Sequence, residues 1–411
     1  MSPTRRQALT ALVSGAVAAG AVASVSGCSE SSGSSGTGSS GVASAGVASA
    51  GAVGSARVSP FGEHQAGIAT PAPARVTVTA LTLKPGVDRA ALGRFMRLWS
   101  ENVKALTQGS PATGDPASEL VSQPSSLTIT VGFGPKVFTL EGLAGKKPAG
   151  LVAVPPMKYD KLQDRWSGGD LIVQVCADDS LVISHVSRRM VADAAPFATV
   201  RWQQSGFWRA SGVGKPGETG RNLMGQVDGT GNLPPSDPQF ASVVWAPGSP
   251  DWFKGGSMMV VRRIQMALDT WDNLSRDKQE AVIGRKLDTG APLGRPNERD
   301  VLPLDAKDDK GQPLIPADSH ARLANPNSNS GLRILRRAAN YADGRAADGT
   351  ADSGLLFIAF QADIAKQFVP IQQRLDTSDA LNKWTTAVGS AVFVVPPGFG
   401  SDGWIGQGLL A

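Results

Sequence analysis

One order of hydrophobic periodicities occurs twice along this chain, and it constrains the fold more tightly than any other feature. RVTVTALTL (Arg75–Leu83) alternates apolar and polar residues at period two, the pattern of a half-buried strand. Residues 88–106 follow at helical period, SLTITVGFG (126–134) and LIVQVCA (Leu171–Ala177) read as strands, 181–194 as a helix, and 198–208 alternates again. The order is βαββαβ, a ferredoxin-like unit. A second pass starts at Ser257: strand 257–266, helical period over 267–287, strands at 332–341 and 355–361, helical period over 363–375, and a strand at 391–395. The expected fold class is therefore α+β, two ferredoxin-like (βαββαβ) units with antiparallel sheets, bounded as residues 57–224 and 225–411. Each unit's helices cover one sheet face. The bare faces are expected to meet or to enclose something, so a cofactor is expected in a cavity between the halves.

What precedes the first unit reads as address and tether. Thr4, Arg5, Arg6 and Gln7 open a charged segment that runs into an Ala/Gly/Val-rich stretch to about residue 26, a pattern resembling a twin-arginine signal over residues 1–27. That route carries folded proteins and suits an enzyme exported with its cofactor in place. Val25, Ser26, Gly27 and Cys28 resemble a lipobox, so Cys28 is the expected lipid attachment point. Residues 28–56 are almost entirely Ser, Gly, Ala and Val, too poor in apolar bulk to fold. No later stretch has the roughly 18 uninterrupted apolar residues of a membrane span. The expectation is an exported protein, extracellular or at the cell surface, touching membrane only through Cys28.

Charge and ligand counts remove several classes of function. Net charge is +5 and no basic run is interleaved with aromatics, which leaves nucleic-acid binding without its main term. Two cysteines (Cys28, Cys176) and three histidines (His64, His185, His320) offer no zinc spacing. A cofactor that needs a single axial protein ligand remains open. His320 lies in the Asn/Asp/Pro-rich stretch 288–329, which shows no periodicity, and loops of that length in compact domains are usually functional. Upstream, Gly225, Gln226, Val227, Asp228 and Gly229 form GxxDG, followed by Thr230, Gly231 and Asn232. The glycines let backbone turn close to a planar ligand and leave one carboxylate for proton transfer. Taken singly, such an aspartate also fits an ordinary turn, and a lone loop histidine also fits the surface. Together with an arginine of ILRR (334–337), they supply what splitting a peroxide requires: an imidazole to hold iron, a distal base, and a cation for the departing oxygen.

At this point the sequence resembles the dye-decolorizing peroxidases, specifically their twin-arginine-exported branch. The blocks that carry the resemblance run in order through both halves: PFGEHQAGIATP (60–71), DLIVQVCADD (170–179), GQVDGTGN (225–232), VVRRIQMALDTWD (260–272), SHARLANP (319–326), ILRR and GLLFIAFQAD (354–363). The resemblance implies one b-type haem per chain between the two units, most of its contacts coming from the C-terminal half. It implies His320 as axial ligand to the iron and Asp228 as distal acid/base, with Gly229, Thr230, Asn232 and Arg322 as neighbours of the cofactor. The distal arginine falls in ILRR. The resemblance implies the arginine of I-L-R, Arg336, as the one aimed at the haem; strand alternation then turns Arg337 to the opposite face, and a one-residue slip in register exchanges them. Where other branches carry a distal asparagine two positions on, this chain has Ala338.

The implied reaction is reduction of H2O2 with oxidation of dyes or other bulky donors, favoured at acidic pH because the base is a carboxylate. The physiological donor, organic or protein, is not named by the residues, and a copper protein is one candidate partner. The rival reading is an exported haem- or iron-handling lipoprotein, releasing iron from haem, in which peroxidation is incidental. Nine tryptophans raise the question of electron transfer to the surface, against which plain packing is the simpler account of any one of them. Cys176 reads as a small core residue, and His64 has no assigned place.

Overall fold

A computed structural model of the chain describes residues 54–210, 213–215, 217–346 and 348–411. The expected signal at 1–27, Cys28 and nearly all of the expected 28–56 tether lie outside the described residues. Strands β1 (Arg75–Leu83), β2 (Thr128–Phe133), β3 (Leu171–Ala177) and β4 (Ala198–Phe207) form the first unit, with helices α1 (Arg89–Leu106) and α2 (Ser180–Ala194). Helix α1 begins where the Asp88 carboxylate accepts a hydrogen bond from the Ala91 amide at 2.7 Å, one of the donors a helix start leaves unpaired. Its Leu92, Phe95, Met96, Trp99 and Val103 recur at helical spacing and are all buried. Asp179 caps α2 in the same way, through the Leu181 amide.

The second unit comprises β5 (Ser257–Met266), β6 (Leu335–Arg336), β7 (Ala339–Arg345), β8 (Ala351–Gln361) and β9 (Thr385–Val395). Three of its elements differ from the periodicity. The 267–287 stretch forms two short helices, Leu268–Trp271 and Arg276–Ile283, the second stopped by Gly284 at φ +87°, a left-handed geometry that suits glycine. The 332–341 strand is interrupted at Arg337 and Ala338, where the Trp208 indole takes the Ala338 carbonyl at 2.5 Å in place of a ladder bond. The final helix starts with a π turn, Ile364–Phe368, ahead of Val369–Ser378, because Pro370 has no amide to donate.

Both units have the same antiparallel order, β4-β1-β3-β2 and β6/β7-β8-β5-β9. Single contacts at Phe133–Val394 and Phe207–Asn340 join them into one closed ring of strands. Inside that ring, Val78, Ala80, Ile172 and Trp202 of the first unit pack with Val261, Leu356, Ile358 and Phe393 of the second. Burying each of the larger ones stabilises the fold by roughly 1.5–3 kcal/mol, so the bare faces close on one another. The inner sheet faces are thus closed on one another by packed side chains. The cavity lies on the other face of the second unit's strands.

Candidate active site

Alternation along β5 and β8 decides which residues meet that cavity. Val261, Leu356 and Ile358 point into the ring, so Ile264, Met266, Leu355 and Phe357 point out and form an apolar floor. Helix Val369–Ser378, the one-turn helix His320–Ala324 and the Asp228 turn complete a cavity of about 300 Å³. His320 and Asp228 both line it. All its lining residues fall between 222 and 385, within or at the edge of the C-terminal half.

His320 is the first residue of its short helix, and its ring Nδ1 lies 2.6 Å from Asp379 Oδ2. Asp379 is buried and is itself fixed by the Leu381 amide, which donates to Oδ1 at 2.9 Å. An ionised carboxylate there selects the tautomer with hydrogen on Nδ1, and the lone pair on Nε2 is left to the cavity. Burial opposes charge on the imidazole, but the Asp379 carboxylate outweighs it by charge and hydrogen bond, raising the histidine's proton affinity above its ordinary value. The same effect makes Nε2 a stronger donor to a metal.

Across the cavity, Asp228 Oδ1 accepts from Arg336 Nη1 at 2.7 Å and Oδ2 from Asn222 Nδ2 at 3.1 Å. Burial alone would push this carboxyl up. The Arg336 charge and the two hydrogen bonds reverse that and hold it below the usual carboxylate range. Arg336 is positioned in turn by Asn232, whose amide exchanges two hydrogen bonds with the Arg336 backbone, at 2.7 and 2.9 Å. Arg337 turns to the opposite face and donates to the carbonyls of Ile68, Thr70 and Pro71.

Of the remaining sequence candidates, Gly229, Thr230 and Asn232 line the cavity. Arg322 does not. Its guanidinium donates to the Leu304 and Ile315 carbonyls at 2.7 and 3.3 Å, bracing the long loop, so the structure gives it no contact with the site. His64 is also elsewhere, stacked on Trp245 at 3.7 Å with Nδ1 against the Gly255 carbonyl. Cys176 is buried in the ring. Sequence reasoning missed Asp379, Asn222 and Arg333. Asp379 carries only the signal of a capping aspartate before a short helix, and Arg333 lines the cavity with no ion pair among the described residues.

The donor set is informative about what can bind. Among the described residues no three His, Cys, Asp or Glu side chains converge as a metal cage. A metal held at His320 must therefore bring its other ligands with it, on a flat organic frame that suits the apolar floor. Comparison with known proteins agrees with that chemistry. The Dyp-type peroxidase N-terminal model matches residues 65–208 and the C-terminal model residues 219–399. The chain belongs to the Dyp-type peroxidase family. Dye-decolorizing peroxidase of Thermobifida fusca is 41% identical to this peroxidase over 362 residues, covering 84% of this chain and 83% of that one. The solved DyP-type peroxidase from Cellulomonas bogoriensis superposes with a TM-score of 0.84 at 46% identity, covering 87% and 99% of the two chains. Deferrochelatase of Escherichia coli is 36% identical over 371 residues, 85% of this chain and 86% of its own.

Proposed function

We propose that this peroxidase would hold haem through His320 Nε2 and reduce H2O2 with Asp228 as proton shuttle and Arg336 as charge stabiliser. The carrying observation is that one imidazole with a free Nε2 and one arginine-paired carboxylate line the same apolar-floored cavity. Arg333 suits the acidic substituents of a haem edge. Haem, when bound, supplies an iron that takes up the peroxide and passes two oxidising equivalents to a donor. Asp228 takes the proton from the near oxygen and returns it to the far one, which leaves as water. Arg336 stabilises the negative charge that builds on the departing oxygen. Two electrons from the donor and two protons then yield the second water.

With haem filling the cavity a bulky dye has no room inside it, so its electrons enter from outside. Trp271 donates its indole hydrogen to the Met224 carbonyl at 3.1 Å, and Met224 lines the cavity. Trp384, half-buried, stands edge-on to Trp271 at 5.4 Å. This pair links cavity wall to surface and supports Trp384 as the donor-facing residue. A copper protein is one candidate for the donor. Export by the twin-arginine route and lipid attachment at Cys28 are supported by the N-terminal sequence. Cys28→Ser should move the protein from the membrane fraction to the medium, and retention on the membrane would reject the anchor.

The test of the main reading is stopped-flow absorption of haem-loaded protein mixed with H2O2. Asp228→Asn should keep the haem spectrum while slowing the first spectral change, and His320→Ala should lose the haem or its histidine-ligated spectrum. Iron released from haem without peroxide turnover would favour the haem-handling reading instead.

A further inference from the structure

The turn that carries Asp228 is closed at its neck by a residue from another part of the chain. Thr219 Oγ1 and Thr230 Oγ1 both donate to Glu298 Oε1, at 2.6 and 2.7 Å. Between these threonines the chain reverses: Arg221 and Val227 pair as an isolated bridge, and the Asp228 amide donates to the Gly220 carbonyl at 2.8 Å. Gly229, at φ +128°, has Thr219 Cγ2 at 3.3 Å from where a Cβ would stand, so the neck is packed against the residue next to Asp228. Glu298 belongs to the 288–329 segment that also bears His320. Its own carbonyl is held by Arg285 Nη1 at 2.8 Å, and that nitrogen also donates to the Gly290 carbonyl at 2.7 Å.

The same neck faces a second cavity, of about 640 Å³, whose wall includes Thr219, Gly220 and Arg221 and which shares Asp228, Asn232 and Arg336 with the first. Exposed residues such as Arg209 and Lys215 form its rim, so it opens an approach from solvent to the Asp228–Arg336 pair. Two hydroxyl donors from opposite ends of one turn, converging on a single carboxylate oxygen, fix the distance between those ends. A glutamate satisfied by chance contact would not need both.

We infer that Glu298 is a positioning residue: it clips the neck of the Asp228 turn to the segment carrying His320, and so sets where the Asp228 carboxylate stands over the cavity. The inference rests on Asp228 acting on peroxide. Glu298 touches neither peroxide nor cofactor and acts only through the two threonines. Its carboxylate is kept ionised below the ordinary glutamate range, since the two hydroxyl bonds and the charges of Arg299 and Arg285 outweigh burial.

The experiment measures the rate constant of the first spectral change on mixing haem-loaded enzyme with H2O2. Misplacing a reacting group by about 1 Å can cost on the order of 10²-fold, so Glu298→Ala should lose rate on that scale while keeping its haem content and Soret band. Glu298→Gln, whose amide oxygen still accepts both bonds, should recover most of the loss. Thr219→Val with Thr230→Val should reproduce the alanine variant without removing the charge, which keeps the test open if Glu298→Ala fails to fold. In an Asp228→Asn background, Glu298→Ala should cost nothing further, because the group it positions is already disabled. A wild-type rate in Glu298→Ala, an equal loss in Glu298→Gln, or losses that add in the double variant would each overturn the clip. If Asp228→Asn itself reacts at the wild-type rate, it is the reading of Asp228 that fails.

Discussion

Replacing Arg336 with leucine should move the acid limb of the peroxide reaction to higher pH, and the structure sets both sign and size. Asp228 is buried, which by itself disfavours its charge, and the Arg336 guanidinium 2.7 Å away is the chief counterweight. Charge centres about 4 Å apart interact by about 4 kcal/mol at an effective dielectric constant of 20. At 1.36 kcal/mol per pKa unit that is an upper bound of about 3 units, in line with the 1–3 units typical of an aspartate beside an arginine. Among the described residues Asn222 then remains as the side-chain donor to Asp228, so burial counts for more and the carboxyl moves upward. The base is active only when ionised. The variant should therefore lose far more rate at acidic pH than at neutral pH, relative to wild type, with its limb displaced upward by about 1–3 units. Stopped-flow mixing with H2O2 over a pH series reads this directly, and a limb that stays in place while the rate falls uniformly would refute the electrostatic account of Arg336.

Stability should show the same linkage. Because folding lowers the Asp228 pKa, the pair contributes stability above the unfolded value near pH 4 and loses it as pH falls through the folded value; the Tm gap between wild type and Asp228→Asn should narrow in acid, and a gap independent of pH would count against it. Asp379→Asn leaves His320 without its anionic partner and should weaken haem retention by about 10–100-fold, measured as haem transfer to an acceptor globin, with a rise in the iron's reduction potential. Trp384→Phe should slow oxidation of a bulky anthraquinone dye while leaving a small phenol unaffected; equal loss for both donors would place the entry point elsewhere. Trp271→Ala removes a fully buried indole and should cost about 3–5 kcal/mol, read by denaturant unfolding.

The doubled βαββαβ order was legible because period-two and helical-period runs are local properties, and Arg75–Leu83, Leu171–Ala177 and Ser257–Met266 fall as strands where those runs lie. His320 stood out because histidine is scarce in this chain, and both it and Asp228 sit in recognisable blocks. Alternation likewise separates Arg336 from Arg337, since successive side chains of a strand must face opposite ways. Which sheet face would hold the cavity was not legible. Both faces of β5 and β8 are apolar, and only the packing of Val78 and Ile172 against Val261 and Ile358 uses up the inner one. Asp379, Asn222 and Glu298 were equally hidden, being ordinary polar residues in sequence, 59, 6 and 68 positions from the partners they hold. The chain's own order thus determined the elements and the reactive groups, whereas the tertiary structure alone decided which face stays open and which distant carboxylates tune it, because those depend on contacts between segments that no local pattern encodes.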